Sequence, residues 1–381
     1  MIDTADVIVV GLGAVGSATC HHLARSGAKV VGIDRLRPPH DQGSSHGLTR
    51  ITRLAIGEGA GFVPLAKRSH ELWRELESMT GETLYLATGG LVIASAEAEQ
   101  NAYHGQSRFL ARTIDMARRF HIEHELLDAA AIRERFPAFA VADHEQGYLE
   151  HDAGVLFAER IVAAQLAVAE RYGAVLRLDE RVLSIEADGS AVNVQTDRGR
   201  LGAARVVVTA GAWMPTLGGA ALARRLRVLR QVLFWFHANA PELYAPGRCP
   251  IWIWLHGAGA AGSMYGFPMV DGVAGVKVAS EQDTSVSDPD AVERRVGDDE
   301  VKDMFDRHVA GRLRGLDGRA VRSATCLYTS TADASFVVEP HPSIAAVTLV
   351  SACSGHGFKH SAALGESLAG AVANGGDGSR P

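Results

Sequence analysis

The sequence predicts an α/β fold with an α+β second domain. A Rossmann-like, dinucleotide-binding unit is left and re-entered by the chain, and an antiparallel-sheet domain is inserted into it in two pieces. Three observations predict this. The strand Asp6-Val7-Ile8-Val9-Val10 runs directly into Gly11-Leu12-Gly13-Ala14-Val15-Gly16 and a helix. A second apolar strand over residues 29–33 is closed by Asp34. The same strand-then-helix rhythm returns at 205–213 and 347–372, after two stretches of different texture.

Each part of the first unit has a mechanical reason. Gly11 allows the tight turn, Gly13 lets the backbone approach a pyrophosphate, and Gly16 lets the helix pack closely on the strand. The helix amino terminus offers free N–H groups and partial positive charge to phosphates. Asp34 stands where a carboxylate accepts the ribose hydroxyls of an adenosine. A lone G-x-G-x-x-G can be an ordinary turn in a parallel sheet; the strand-turn-helix-strand-acid context selects dinucleotide binding. It leaves NAD and FAD open.

A chain of 381 residues can bury two domain cores. With 47% hydrophobic and 22% charged residues it reads as an ordinary globular enzyme. Lys plus Arg 38 against Asp plus Glu 44, a formal charge of -6, argues against nucleic acid as a partner. Cys20, Cys249, Cys326 and Cys353 form no CxxC pair and no metal-like cluster, so a reduced, cytoplasmic setting and no metal are expected. The amino terminus carries neither a signal-peptide pattern nor a membrane span, and the tail after Ala373 reads as frayed.

Behind the first unit, residues 37–47 are all turn chemistry, and 48–53 carry Arg50 and Arg53 three apart. Such a pair reads either as a solvated helix end or, at the outlet of the nucleotide unit, as functional. Apolar spacing predicts a helix over 62–79, then a hairpin over 84–95. A helix over 103–119 follows, and a short one capped by Asp128 stops at Pro137. A helix from Phe157 to Tyr172 precedes short strands and the strand 205–209, which ends in the small-residue turn Ala210-Gly211-Ala212-Trp213. That is where an open α/β sheet places ligands. Long aromatic strands over 226–238 and 251–256, with others carrying Tyr265-Gly266-Phe267-Pro268 and Val276-Lys277-Val278, read as an antiparallel sheet with helices from 290 to 314 against it. Such a sheet would roof a cofactor, although tryptophans at this spacing are more often core. Short strands then lead to Cys353-Ser354-Gly355-His356-Gly357-Phe358-Lys359-His360, a second glycine-rich entry into a helix. The domains expected are 1–82, 151–217 and 321–381 for the nucleotide, and 83–150 and 218–320 for the substrate.

Five ordered stretches resemble one family, the monomeric sarcosine oxidases and N-methyltryptophan oxidases among the D-amino-acid-oxidase-like flavoproteins. They are Gly11 to Gly16, Pro38-Pro39-His40 through Ser44-Ser45-His46-Gly47-Leu48-Thr49-Arg50-Ile51-Thr52-Arg53, Tyr265 to Pro268, Cys326-Leu327-Tyr328-Thr329, and Ser354 to Lys359. The resemblance spans nearly the whole chain and implies an extended FAD. Its cofactor residues would be Gly11, Gly13, Gly16, Asp34, Ser44, Thr49, Arg50, Val182, Gly211, Trp213, Gly355, Gly357, Phe358 and Lys359, with Cys326 joined to the flavin ring as a thioether. Arg53 and Lys359 would hold the substrate carboxylate, Lys277 would assist oxygen, and Arg50, His46, Tyr265 and Tyr328 would line the reacting centre.

Those roles agree with chemistry. A guanidinium and an ammonium fix a carboxylate by charge-assisted hydrogen bonds and so aim the carbon beside the amine. The implied activity is oxidation of an N-methyl amino acid, sarcosine-like, to the demethylated amino acid, formaldehyde and hydrogen peroxide. The alternatives are another secondary-amine acid, such as N-methyltryptophan, pipecolate or proline, or a dehydrogenase using a carrier. A monomer acting on a small amino acid and O2 is expected. Two departures stand out: Glu281 where the family has histidine, and Leu48 where an aspartate is usual. A carboxylate facing the pocket at 281 would repel a simple amino-acid anion or attract an extra cationic group.

Overall fold

A computed structural model describes residues 3–100, 102–189, 191–257, 262–270 and 274–373; the tail read above as frayed lies outside them. β1 (Asp3–Val10) is central because Val7 to Val10 are buried on both faces. It pairs in parallel with β2 (Val30–Ile33) on one side and the strand Gly199–Val208 on the other. Val175–Arg177 extends the sheet beyond β2, and Ile344–Ser351 joins the far end of Gly199–Val208. Antiparallel strands Val182–Asp188, Ala191–Thr196 and Val337–His341 complete eight.

Between β1 and β2 runs α1 (Ala14–Arg25). Gly16 is obligatory at its start, since a Cβ there would stand 1.8 Å from the Gly11 carbonyl oxygen. α1 packs on Ala158–Arg171, where Ser17 Oγ donates to Gln165 Oε1 at 2.8 Å. Its other neighbour is the last helix, Ser361–Ala373, whose Gly365 lets the two backbones approach: a Cβ would lie 2.4 Å from that of Ala18.

The second sheet has nine strands in the order Thr284–Ser285, Arg227–Ala238, Val276–Ala279, Ser263–Gly266, Ile251–Leu255, Gly90–Ser95, Glu145–Glu150 and His124–Asp128, with Leu316–Ser330 on the other edge of Arg227–Ala238. It is antiparallel except where Ile251–Leu255 runs parallel to Gly90–Ser95. Trp252 and Trp254 are core, 0% and 1% exposed, packed with Phe139. The alternate residue Ile253 points instead to the cavity described below.

A three-stranded sheet joins the two: β3 (Thr49–Thr52) and Tyr85–Ala87 flank Gly154–Phe157. This corrects one expectation and decides between two readings. Residues 84–95 are not a hairpin, because Tyr85–Ala87 pairs here while Gly90–Ser95 pairs in the large sheet. Gly89, at φ 75, turns the chain from one to the other. Residues 48–53 are not a solvated helix end either: β3 is a paired strand, and Arg53 is only 2% exposed. Within 290–314 the α-helix is confined to Asp298–Met304, followed by a π turn over Phe305–Val309. Gly297 and the Glu300 carboxylate that accepts its N–H start the helix, and Gly311, at φ 75, stops any continuation. Leu316–Ser330 is one long partner of Arg227–Ala238, not a short strand, and runs through the domain boundary expected at 320.

Candidate active site

A continuous cleft of about 2120 Å³, counting its open mouth, lies between the carboxyl ends of the first sheet and the face of the second. Of the sequence-predicted nucleotide residues, Gly11, Gly13, Asp34, Val182, Gly211 and Trp213 line it. So do Ser44, Thr49, Arg50 and Arg53, then Tyr265, Lys277 and Tyr328, and finally Gly355, Gly357, Phe358 and Lys359. Gly16, His46, Glu281 and Cys326 do not line it.

At the nucleotide end the glycine turn is forced by crowding. A Cβ on Gly11, whose φ is 88, would come 2.7 Å from the Thr209 carbonyl. Gly13 offers no side chain to cap α1 and no acid occupies its first turn, where Ala14 N donates to Ser45 Oγ at 3.2 Å, so the helix start carries no anion of its own. Asp34 Oδ2 accepts from Leu12 N at 2.7 Å and Oδ1 from Leu36 N at 2.9 Å, which fixes the carboxylate and leaves lone pairs for hydroxyl donors. The guanidinium of Arg35 lies 4.8 Å from the Trp213 ring, and Asp290 holds both, at 3.0 Å from Arg35 and 2.9 Å from Trp213 Nε1. These features fit a bound dinucleotide.

In the middle of the cleft, Lys277 Nζ donates to the carbonyls of Gly47 and Thr49 at 2.7 and 2.8 Å. Burial first, and the neighbouring Arg50 charge second, drive the Lys277 ammonium well below its ordinary pKa. The turn it leans on is strained, with Gly47 at φ 90 and Leu48 at φ 70. Glu159, on the helix Ala158–Arg171, holds that turn by accepting from Gly47 N at 2.7 Å and Leu48 N at 3.0 Å. Arg50 Nη2 donates to the Ser44 carbonyl at 2.5 Å and lies 3.8 Å from Cys326 Sγ. Burial pushes the Cys326 thiol pKa up, and Arg50 opposes it. His46 is buried with Nε2 unpartnered; burial and Arg50 push its pKa down to about 4, so it is a neutral imidazole.

At the far cluster, Arg53 Nη2 meets Glu58 Oε2 at 2.6 Å, and Lys359 Nζ lies 3.5 Å from Glu58 Oε1. The two cations thus converge on one carboxylate. Arg53 also donates to the Ala55 carbonyl, and its Nε is buried without a partner. The backbone behind it is fixed by Glu150, which accepts from Leu54 N and Ala55 N at 2.5 and 3.0 Å. Burial opposes a charge on Glu58, but Arg53, Lys359 and His104 outweigh it and hold its pKa well below the usual carboxylate range. Burial lowers Lys359 to about 8 despite Glu58. Lys359 is aimed by its bond to the His356 carbonyl at 2.9 Å and by the turn at Gly357, where a Cβ would strike the Ala352 carbonyl at 1.7 Å. The Tyr265 and Tyr328 hydroxyls meet at 3.3 Å.

Glu58, His104 and Glu159 escaped the sequence reading. Glu58 had a faint signal, an acid between two glycines five residues past Arg53; the other two had none. Among the described residues no group of His, Cys, Asp and Glu is placed to hold a metal, and no helix is long and apolar enough to cross a membrane.

Comparison with known proteins gives the family. The family described as FAD dependent oxidoreductase matches residues 6–371. The monomeric sarcosine oxidase of Streptomyces avermitilis is 37% identical over 374 residues, covering 97% of this chain and 94% of that protein. The N-methyl-L-tryptophan oxidase of Salmonella arizonae is 31% identical over 370 residues, covering 95% and 92%. Among solved structures, the open form of NikD, described as an unusual amino acid oxidase essential for nikkomycin biosynthesis, superimposes with a TM-score of 0.81 at 23% identity, covering 97% of this chain and 94% of that one. At that identity the likeness speaks for the fold alone.

Proposed function

The chain belongs to the FAD dependent oxidoreductase family, and on that premise we propose that it oxidises an N-methyl amino acid of the sarcosine class with O2 as acceptor. The observation that carries the reading is the convergence of Arg53 and Lys359 on one carboxylate position in the cleft that also holds the dinucleotide cradle. In the internal arrangement Glu58 meets the same two cations that a substrate carboxylate would meet. The two cations exceed Glu58 by one charge, so a substrate carboxylate held beside Glu58 would complete the balance.

FAD supplies the two-electron chemistry when bound. Gly11, Gly13 and the start of α1 would hold its pyrophosphate and Asp34 its ribose. Arg53 and Lys359 orient the substrate so that the N-methyl group, rather than the carboxylate, faces the reacting centre. Tyr265, Tyr328 and Phe267 exclude water around it. The overall reaction balances as secondary amine, O2 and water giving primary amine, formaldehyde and hydrogen peroxide. Peroxide and formaldehyde release with sarcosine, N-methyltryptophan, pipecolate and proline tests it. Sarcosine or N-methyltryptophan should give both products; peroxide without formaldehyde, from the cyclic amines alone, would overturn the N-methyl assignment.

Lys359 gives the site a pH dependence. Its ammonium is charged below about 8 and is lost as pH rises through that value, so carboxylate affinity is present below it and declines above. Titrating the holoenzyme with acetate, read by the flavin spectrum, should show affinity falling above about pH 8 by up to about tenfold per unit. Lys359→Met should remove that decline; a decline that persists in the variant would assign it to another group.

Lys277 and Arg50 provide the fixed polar surroundings for oxygen reduction. In Lys277→Met, reoxidation of the reduced enzyme in air should slow by about 100-fold, with anaerobic reduction by substrate unchanged. Equal reoxidation rates in the two proteins would take Lys277 out of that role.

A further inference from the structure

Glu281 does not face the substrate space; it faces His104. The His104 Nε2 pairs with Glu281 Oε1, and Nδ1 lies 3.1 Å from Glu58 Oε1, so the ring bridges two carboxylates. His104 and Glu58 line the cleft, whereas Glu281 does not. The order leading away from the Arg53 and Lys359 clamp is therefore Glu58, imidazole, Glu281, the last being the most exposed of the three at 17%. Burial opposes a charge on His104, but Glu281 and then Glu58 outweigh it and raise its pKa to about 9, so the ring is an imidazolium at neutral pH. Its position is fixed: the backbone turns at φ 47, Tyr103 and Gln106 close the loop with paired 2.9 Å hydrogen bonds, and the Tyr103 ring lies 4.1 Å from the imidazole. Gly355 keeps the approach open, since a Cβ there would lie 3.0 Å from His104 Nε2 and 3.2 Å from Glu281 Oε1.

The cluster thus contains three cations, Arg53, Lys359 and His104, and two carboxylates, Glu58 and Glu281, leaving a single positive charge for the ligand. Without Glu281 a His104 ring kept protonated by Glu58 would present a further positive charge to the cleft, next to the carboxylate clamp. We propose that Glu281 and His104 are a specificity-determining pair that restricts this site to substrates with one carboxylate, because Glu281 neutralises from behind the cation that would otherwise attract a second. The inference rests on Arg53 and Lys359 being the clamp. It also reverses the simplest expectation for an acid at 281: the carboxylate neither repels the amino acid directly nor recruits a cationic group, because its charge is already matched.

The test uses the holoenzyme and two non-oxidisable ligands, acetate and succinate, with binding read from the flavin absorption spectrum. Glu281→Gln keeps the shape and an oxygen acceptor for His104 but removes the negative charge. Measured below the ordinary imidazole pKa of about 6.5, where Glu58 keeps the ring protonated, it should raise the affinity for succinate relative to acetate by about tenfold, the scale of one partly screened charge at short range. The ratio of kcat/KM for N-methyl-aspartate over sarcosine should move the same way. His104→Gln removes the cation and leaves Glu281 unmatched, so it should shift both ratios in the opposite direction. General loosening of the pocket would weaken both ligands together and would not produce opposite shifts. Unchanged ratios, or ratios moving alike in the two variants, overturn the pair. If the unmodified enzyme binds neither acetate nor succinate, the clamp itself fails and this inference with it.

Discussion

Replacing Arg53 with Met should raise the KM for the amino-acid substrate by about 100-fold while leaving the flavin content of the purified protein unchanged, on the scale of charge-assisted hydrogen bonds lost from a buried carboxylate. The side chain is buried beside Phe109, its guanidinium 5.0 Å from that ring, and Met fills much of the same volume. Its charge partner Glu58 keeps Lys359 and His104, so the cluster is weakened without being left unpaired. The dinucleotide cradle shares no hydrogen bond with Arg53, which is why FAD should stay. Steady-state kinetics beside the ratio of flavin to protein absorbance separates the two effects. An unchanged KM would remove Arg53 from substrate binding.

Acid precipitation should leave the yellow colour in the protein pellet, and Cys326→Ala should release all of it to the supernatant. Cys326 is 1% exposed in the long strand Leu316–Ser330, opposite Gln231, with Sγ 3.7 Å from the Ser44 carbonyl and 3.8 Å from Arg50 Nη2. The two residues that screen it, Ser44 and Arg50, are themselves on the cleft wall. Burial disfavours the thiolate and Arg50 favours it, so Arg50 is the group that would allow the sulfur to react. Flavin lost from the unmodified protein on acid treatment would show that the cofactor is held without a bond to Cys326.

Legibility of the fold followed distance along the chain. The first βαβ unit was readable because its constraints are local: Gly16 meets the carbonyl of Gly11, five residues back, and Asp34 receives the N–H of Leu12 in the turn the motif itself defines. The Asp128 cap was readable for the same reason, since its side chain accepts from Ala131 three residues on. The supposed hairpin at 84–95 shows the limit. Two short apolar strands separated by a glycine pair have the pattern of a hairpin, but pairing belongs to whichever partners are packed beside them. Here those partners are Gly154–Phe157 for one strand and Glu145–Glu150 with Ile251–Leu255 for the other.

The candidate site divides in the same way. By itself, the sequence determined the nucleotide turn, because glycine spacing keeps its meaning without neighbours; the roles expected for the arginine pair, the lysine on the second glycine-rich turn and the cysteine came from resemblance to the family. Only the tertiary structure decided which charges face one another. It set Glu58 between Arg53 and Lys359, placed His104 46 residues away against Glu58, and turned Glu281 from the pocket toward that histidine. It also used Glu159, 112 residues from Gly47, to hold the turn under Lys277. Burial makes each of these charges depend on its partners, and a buried partner can come from any part of the chain, so the charge balance of this site is a property of the fold.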